Sequence, residues 1–400
     1  MISQKQIEII ESAGCVAVIL AGSIGAVAVI RSLGMEKIPC IVIGNSYHHK
    51  SKYTTVALQA KTKKDVINLL LIIPKLLNIK PVLLTDTDEY LDIVYSNWKK
   101  IEDNYFIPAS QKNYALIDKN LVDKVKGIHE ITEIPITFQK INEVEEQHFP
   151  IIIKPLWHSG NFSQLKTKPE KIYVCNDKTQ AKNALEFLSE LNISSIIQQM
   201  IIGETDTLYT VLLYRNAKGE IEVGYTAKKL RVFPSGYGVA STLISVENTE
   251  IINQSVELMN LTDYQGVAEF EFKFCRKTNK YYLIEVNGRF PLQTSMLKQC
   301  NSKFIYTVFC DLLNDRTTKE ISKKPERTIV WIFLLSDIKA IKEKNKKTLL
   351  NIYLKTIFSY RIQGALWSLS DPLPAMYFLK YIMKKIITKQ KVGKSQFEKV

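Results

Sequence analysis

The sequence feature that most constrains the fold is the segment from residue 266 to residue 291. It contains two runs rich in aromatic and β-branched residues, separated by the polar stretch 276–280. Two such runs joined by a short polar turn predict the antiparallel strands of a β-hairpin. The dense apolar runs favour a hairpin that belongs to a core, and a solvent-exposed hairpin is the alternative.

Acidic and amide side chains recur at alternate positions of these two predicted strands. Alternate residues of a strand share a face, so pairing across the turn gathers a polar cluster with an arginine at its rim. The members of this cluster are Glu269, Glu271, Glu285, Asn287 and Arg289. Like charges repel, so the cluster favours a bound cation. Carboxylate and amide oxygens suit Mg²⁺, which shares its coordination shell with substrate phosphates.

A strand that carries glutamate, followed by a strand reading Leu-Ile-Glu-Val-Asn-x-Arg, resembles the metal-binding signature of ATP-grasp enzymes. Those enzymes clamp ATP between two α+β lobes. The metal ligands that the resemblance implies are Glu271, Glu285 and Asn287, with Glu269 as the competing first ligand. Arg289 matches the arginine that faces the phosphates. Many members have proline before this arginine, where the chain has Gly288, and a glycine is expected to loosen the turn.

The N-terminal part of the chain predicts a Rossmann-like unit, because short apolar runs alternate with helical segments as in βαβ units. The run 15–20 is expected to be a strand, and 26–33 a helix after a glycine-bearing turn. The turn is not GxGxxG, so it does not indicate a dinucleotide site. The apolar stretch 12–30 is long enough to suggest a transmembrane helix, but glycines interrupt it and its lead-in is acidic.

The resemblance covers residues 110–315 well and the N-terminal part in general layout. It implies a fold class of α/β and α+β: a Rossmann-like N-terminal domain, an ATP-grasp fold with two α+β lobes, and a helical C-terminal extension. The domain limits that we predict are 1–105 for the N-terminal domain, 106–200 for the first lobe, 201–318 for the second lobe with the metal site, and 319–400 for the extension.

Two lysines match phosphate ligands of the family. Lys119 follows Asp118 before a predicted helix, and its assignment depends on that context. Lys154 ends the apolar run 149–153 and precedes Pro155. A lysine in such apolar surroundings needs an anionic partner, and the resemblance implies contact with the α- and β-phosphates of ATP.

The segment 195–203 resembles the hinge between the two lobes, where backbone groups contact adenine and an acidic residue binds the ribose. The positions that match the adenine contacts are Gln198, Met200 and Ile201, and those that match the ribose ligand are Glu204 or Asp206. The alternative for this segment is an ordinary β-strand followed by a turn.

Within residues 228–242, three cations precede a polar loop that contains glycines. Such a loop with nearby cations suits a carboxylate or a phosphoryl group. It resembles the substrate loop of predicted carboxylate–amine ligases of the D-aspartate ligase-like subgroup. Lys228 and Arg231 are therefore candidate catalytic residues, together with Arg289. The alternative is a basic surface loop.

The chain carries 54 basic and 40 acidic residues, a formal net charge of +14. This balance favours anionic partners, which are nucleotides, phosphorylated substrates, nucleic acid or an acidic membrane surface, and it does not choose among them. The six cysteines show no paired spacing, which favours reduced thiols in a cytoplasmic protein.

Residues 375–391 predict a basic amphipathic helix. Its apolar stripe is Phe378, Ile382 and Ile386, and its cations are Lys380, Lys384, Lys385 and Lys389. We expect this helix to pack on the core, and contact with an anionic membrane surface is the alternative.

The resemblance implies an ADP-forming enzyme that uses ATP and Mg²⁺ (or Mn²⁺) to join a carboxylate to an amine or thiol through an acyl phosphate. The expected partners are a small-molecule carboxylate and amine, and no nucleic acid. The sequence specifies neither the substrates nor the oligomeric state. Two alternatives stay open: a basic membrane-surface or nucleic-acid-binding protein with an inactive nucleotide fold, and an ATP-grasp enzyme with kinase-like chemistry.

Overall fold

The computed structural model of the chain describes residues 2–118, 122–156, 169–314, 327–344 and 358–384. The chain divides into two compact units. The first unit contains residues 1–108, 289–324 and 363–400, and the second contains 109–288 and 325–362. This division differs from the predicted domain limits, because the chain returns to the N-terminal domain directly after the hairpin.

The first unit is built on a parallel sheet of strand order β3-β2-β1-β4. Its strands are β1 (Ala17–Ala21), β2 (Cys40–Gly44), β3 (Val56–Leu58) and β4 (Val82–Thr85). Its helices are α1 (Gln4–Ala13), α2 (Gly25–Met35), α3 (Lys63–Leu76), α4 (Asp88–Ser96), α5 (Trp98–Ile101), α10 (Leu297–Cys300) and α11 (Phe304–Leu312). Strand β1 is buried at every position, as expected for a parallel strand covered on both faces.

The apolar stretch 12–30 therefore forms a buried strand, a turn and most of a helix. Within the part of the chain that the structure describes, no helix is long and apolar enough to cross a membrane. The segment after the hairpin joins this unit because Phe290 donates its backbone N–H to the carbonyl of Thr85, at 3.1 Å.

A buried carboxylate closes the turn after β1. Asp86 accepts hydrogen bonds from the backbone N–H groups of Gly22, Ser23 and Ala26 at 2.7–3.1 Å, and from the Ser23 hydroxyl at 2.7 Å. Burial raises the pKa of Asp86, although these donors act in the opposite direction. A Rossmann-like fold binds pyrophosphate at this helix N-terminus. Here the protein's own carboxylate accepts the hydrogen bonds of these backbone N–H groups.

His48 is a fully buried histidine beside this turn. Its Nδ1 accepts the Asn45 N–H at 3.0 Å, and its Nε2 lies 2.8 Å from the Ser23 carbonyl oxygen. Burial lowers the pKa of His48 from 6.5 to about 4. The unfolded chain binds more protons than the folded chain between these values, so stability is lost as the pH falls through this window. We expect the free energy of unfolding to drop by about 2–3 kcal/mol in urea titrations between pH 6.5 and pH 4.

The His48→Gln variant should fold less stably but lose most of this pH dependence. His129 is exposed on the second unit, so His129→Gln is the matched control and should keep the wild-type profile. A His48→Gln variant with the full wild-type slope would contradict the assignment.

The second unit contains two antiparallel sheets, of strand order β5-β8-β6-β7 and β13-β12-β9-β10-β11-β14-β15. The first is formed by β5 (Thr137–Phe138), β6 (Ile151–Pro155), β7 (Tyr173–Cys175) and β8 (Ser195–Gln199). The second is formed by β9 (Leu208–Arg215), β10 (Ile221–Phe233), β11 (Val239–Ser245), β12 (Gly266–Cys275), β13 (Lys280–Asn287), β14 (Ile329–Ile332) and β15 (Arg361–Gly364). The helices are α6 (Tyr114–Ile117), α7 (Ile128–Ile131), α8 (Lys178–Glu190), α9 (Thr249–Leu261) and α12 (Leu334–Lys344).

Strands β12 and β13 form the predicted hairpin, and it belongs to a core. Ile251, Leu258 and Met259 of α9 are fully buried in one cluster with Phe270 and Phe272 of β12. The alternative of an exposed surface hairpin is therefore wrong.

The C-terminal extension, predicted as helical, also contributes strands. Strand β14 is a run of four apolar residues that is buried at every position and pairs antiparallel with β11. Its isoleucines, valine and tryptophan are strand formers without helical spacing, which explains why this run extends the sheet.

Residues 373–384 form the described part of the predicted C-terminal helix. Ala375 and Phe378 are buried, and the Phe378 ring lies 5.1 Å from the ring of Tyr47 in the same unit. The helix thus packs on the first unit, as expected. Ile386, Lys385 and Lys389 lie outside the described residues.

Asp371 anchors the segment that leads into this helix. It is 2% exposed and accepts hydrogen bonds from Arg31 Nε at 2.9 Å, the Ser51 hydroxyl at 2.8 Å and the Lys52 N–H at 3.0 Å. Asp371→Asn removes the charge that neutralises the mostly buried Arg31. We expect the free energy of unfolding to fall by about 2 kcal/mol in urea denaturation. Asp103→Asn, at an exposed position, should change nothing, and equal stability of the two variants would argue against the anchor.

Candidate nucleotide and metal site

The hairpin places the predicted metal ligands side by side. Glu271 is the direct cross-strand partner of Glu285, and Glu269 is the partner of Asn287. Glu269 lies at the buried end, 2% exposed, where it accepts hydrogen bonds from the Thr210 hydroxyl at 2.8 Å and from Asn287 Nδ2 at 3.4 Å. The side chain of Glu271 is 22% exposed. Glu271 and Glu285 therefore form the more open end of the cluster, which a cation can reach from solvent.

Lys229 of β10, which no sequence motif distinguishes from the neighbouring Lys228, completes this cluster. Its Nζ lies 2.6 Å from Glu271 Oε2, and its side chain is 8% exposed. Burial by itself would lower the pKa of Lys229, but Glu271, Glu269 and Glu285 outweigh it and raise the pKa. The lysine thus stays charged and offsets part of the negative charge.

The other lobe contributes a lysine and a glutamine. Strands β6 and β8 are antiparallel neighbours, and Lys154 Nζ donates a 2.7 Å hydrogen bond to Gln198 Oε1. Gln198 is 7% exposed, and its Nε2 lies 3.5 Å from the Thr137 hydroxyl. Lys154, which follows the apolar run 149–153, therefore has a polar partner. A partly buried lysine needs such a partner.

Lys154, Gln198 and Glu285 line one cavity. The rest of the lining is apolar apart from backbone groups and consists of Leu116, Ile117, Val122, Ile196, Leu283, Ile284 and Val286. Three polar side chains from two different sheets, Lys154, Gln198 and Glu285, thus converge on this cavity. Lys119, two residues after Ile117, lies outside the described residues.

Gly288 lies at the end of β13, where many family members have proline. A Cβ atom at this position would collide with the Ile117 side chain and lie 2.9 Å from the Tyr264 hydroxyl. The glycine therefore allows close packing beside the cavity, and the expectation of a looser turn does not describe its role.

The predicted hinge residues lie after β8. Met200 Sδ accepts a hydrogen bond from the Tyr237 hydroxyl at 3.6 Å, and Ile201 is buried. Glu204 is exposed, and Asp206 lies 3.2 Å from Arg276 Nη2. As far as the described residues define the cavity, these four do not line it. Their adenine and ribose roles stay predictions.

The predicted catalytic cations have carboxylate partners of their own. Arg231 Nε and Nη2 donate to the two oxygens of Asp337 at 2.7 and 2.9 Å, and Asp337 is fully buried. This pair ties α12 to β10. Lys228 Nζ lies 3.7 Å from Asp206, and Arg289, in the first unit, lies 2.9 Å from Asp88. Among the cations of β10, Lys229 is the one bonded to the acidic cluster in the described structure.

The cluster fits a divalent cation by its donor chemistry. Among the described residues, no group of three or more His, Cys, Asp or Glu side chains is arranged to hold a metal ion. The donor set expected here is different, because it combines the carboxylates of Glu271 and Glu285 with the amide of Asn287. Mg²⁺ is typically held by one or two carboxylates and completes its shell with water and substrate phosphates, so these residues fit.

Residues 220–300 match the family model described as the carbamoyl-phosphate synthase L chain, ATP binding domain. The match runs through β10, β12 and β13, and so includes Lys229 and the acidic cluster. A comparison with curated protein sequences finds no match.

Solved structures show the same fold over most of the chain. A biotin carboxylase from Campylobacter jejuni, in complex with β,γ-ATP, has a TM-score of 0.60 and 13% identity over 79% of this chain and 75% of that one. An L-amino acid ligase from Bacillus licheniformis has a TM-score of 0.60 and 11% identity over 78% of this chain and 79% of that one.

The biotin carboxylase domain of 2-oxoglutarate carboxylase from Hydrogenobacter thermophilus, with MgADP and bicarbonate, has a TM-score of 0.58 and 13% identity over 78% of this chain and 72% of that one. These structures share the fold of the chain, and its residues 220–300 are similar to the ATP binding domain of the carbamoyl-phosphate synthase L chain. The chain has the ATP-grasp fold, with a parallel-sheet unit and a second unit of two antiparallel sheets.

Proposed function

We propose that this protein is an ATP- and Mg²⁺-dependent ligase that joins a small carboxylate to an amine and forms ADP. The observation that carries the proposal is the convergence of Lys154, Gln198 and Glu285 on one cavity, with Glu285 paired across the hairpin to Glu271. A phosphate-binding cation, a polar partner and an oxygen-donor cluster are the groups that positioning of MgATP requires.

The proposed reaction has two steps. An oxygen of the substrate carboxylate attacks the γ-phosphorus of ATP, the bond to the β,γ-bridging oxygen breaks, and ADP and an acyl phosphate form. The amine then attacks the acyl carbon, the bond to the phosphate oxygen breaks, and phosphate leaves while the amine loses a proton. The terminal charges of the nucleotide must be offset throughout, and catalysis of this kind depends on positioning and electrostatics.

The chain's own residues have distinct tasks in this proposal. Glu271, Glu285 and Asn287 hold a divalent cation, which when bound withdraws charge from the phosphate oxygens. Lys154 and Lys119 offset the charge of the nucleotide phosphates. Lys229, bonded to Glu271 at 2.6 Å, orients that carboxylate.

Substrate binding is assigned to the basic residues that the family resemblance points to. We propose Lys228 and Arg289 as carboxylate or phosphoryl contacts. The buried pair of Arg231 with Asp337 supports a positioning role for Arg231, which fixes β10 and through it Lys229. The neighbouring folds named as an amino acid ligase and as a carboxylase with bound bicarbonate support small carboxylates as substrates.

We also propose a cytoplasmic location. The support is that all six cysteines are free thiols, as expected where disulfides are kept reduced.

The test is ADP and phosphate release by the full chain with MgATP against a panel of amino acids and small carboxylates, alone and in pairs. We expect a carboxylate and an amine together to stimulate release, and hydroxylamine to trap the carboxylate as a hydroxamate. ADP release with a stable phosphorylated acceptor and no free phosphate would instead show kinase-like chemistry.

A further inference from the structure

We propose that the outer face of residues 367–384 binds the surface of an anionic membrane, with the C-terminal helix lying parallel to that surface. The observation is a group of large apolar side chains that the first unit exposes within this short segment. Its members, with their exposed fractions, are Trp367 (56%), Leu369 (88%), Leu373 (44%), Met376 (54%), Leu379 (47%) and Met383 (61%). Scattered single apolar residues are normal on a surface, but a contiguous group marks an interaction site.

The helix 373–384 has two apolar faces with different surroundings. Ala375 and Phe378 pack into the first unit. Met376, Leu379 and Met383 follow at spacings of three and four residues, which places them together in a second stripe beside the packed face. Phe378, the first residue of the predicted amphipathic stripe, is thus on the face that packs inward. Met376, Leu379 and Met383 are exposed and are not buried by the first unit. We therefore expect a binding partner to cover them.

The charge around the second stripe selects an anionic partner. Lys380 and Lys384 lie next to it on the helix and are exposed, and Lys50 places its Nζ 5.0 Å from the Tyr377 ring centroid. The acidic residue within 358–384 is Asp371, which is buried and paired with Arg31. Apolar side chains beside lysines are typical of a helix in the interfacial plane of a bilayer, where tryptophan is also enriched, and Trp367 lies in the segment that precedes this helix.

A second copy of the chain fits this face less well than a lipid surface does. A symmetric dimer would bring the same patch of both copies together and would oppose its lysines to each other. Anionic lipid headgroups attract those lysines, and the lysine stems can reach the headgroups while the apolar stripe enters the acyl boundary.

The test is co-sedimentation of the full chain with phosphatidylcholine vesicles that contain or lack phosphatidylserine. We expect binding to the anionic vesicles that weakens at high salt, and much weaker binding to the neutral ones. The double variant Met376→Glu/Met383→Glu should reduce binding to anionic vesicles about tenfold or more, because it places carboxylates at the membrane face. Both positions are more than half exposed, so the melting temperature should stay close to that of the wild type.

The matched control is Ile72→Glu, which makes the same kind of change at an apolar side chain of α3 that is 50% exposed. It should bind vesicles as the wild type does. The proposal is overturned if the wild type does not bind anionic vesicles, or if the double variant binds them as well as the wild type. It is also overturned if the double variant converts a dimer to a monomer and no vesicle binding is seen, because the partner is then a second copy.

Discussion

The Glu285→Gln variant is expected to lose Mg²⁺-dependent ATP turnover while it keeps its fold. Glu285 lines the cavity and faces Glu271 across the hairpin, so the substitution removes one of two carboxylates from the proposed cation site. Loss of a group that stabilises developing charge lowers turnover by roughly 100-fold to 1,000-fold. The measurement is ADP release at saturating MgATP with the stimulating substrate pair, together with a thermal melt.

The matched control is Glu257→Gln, at an exposed position of α9 in the same unit. It should have wild-type turnover. Removal of divalent cations with EDTA should reduce the wild type to the level of the Glu285 variant, and added Mg²⁺ or Mn²⁺ should restore the wild type alone. Normal turnover in Glu285→Gln would remove the metal assignment.

Lys154→Ala should weaken the binding of MgATP by about 2–4 kcal/mol, which corresponds to roughly 30-fold to 1,000-fold in the dissociation constant. The reason is that Lys154 is a charged group at a mostly apolar cavity, where its interaction with phosphate is little screened by water. Loss of the ammonium also leaves Gln198 Oε1 without its 2.7 Å donor. Titration calorimetry with a non-hydrolysable ATP analogue and Mg²⁺ measures the effect.

Lys182→Ala, at an exposed position of α8 in the same lobe, should bind the analogue as the wild type does. If Lys154→Ala also binds with wild-type affinity, Lys154 is a structural residue that serves Gln198 and not the nucleotide.

The sequence predicted the hairpin and its face of polar side chains because both follow from local rules. Strand alternation places Glu269 and Glu271 on one face, and a short polar turn specifies which strands pair. The sequence could not predict that Glu271 faces Glu285 while Glu269 faces Asn287. The pairing register of the two strands depends on the bulge after Glu271, which local rules do not specify.

The role of Lys229 could not be predicted from the sequence for a related reason. Alternation separates Lys228 from Lys229, but it does not say which of them faces the acidic cluster. That choice depends on the order β12-β9-β10 in the sheet, which joins strands distant in the sequence. A correct prediction of that strand order would have been needed to recognise Lys229 as the lysine that faces the acidic cluster.

The sequence also could not predict two ion pairs between residues that are far apart in the chain. The partner of Arg231 is Asp337, 106 residues later in the chain. Asp371 lies in a Pro-rich turn whose sequence gives no sign of Arg31, 340 residues earlier. In both pairs a buried carboxylate needs a cation, but composition alone does not show which one.

The central claim is that a substrate carboxylate takes the γ-phosphoryl group of ATP before the amine reacts. The most direct measurement uses the stimulating carboxylate with ¹⁸O in both carboxyl oxygens and follows the label by mass spectrometry of the released phosphate. An acyl phosphate transfers one ¹⁸O to each phosphate, so we expect one labelled oxygen per phosphate formed with the product. Unlabelled phosphate, formed at the same rate as the product, would contradict the proposed reaction.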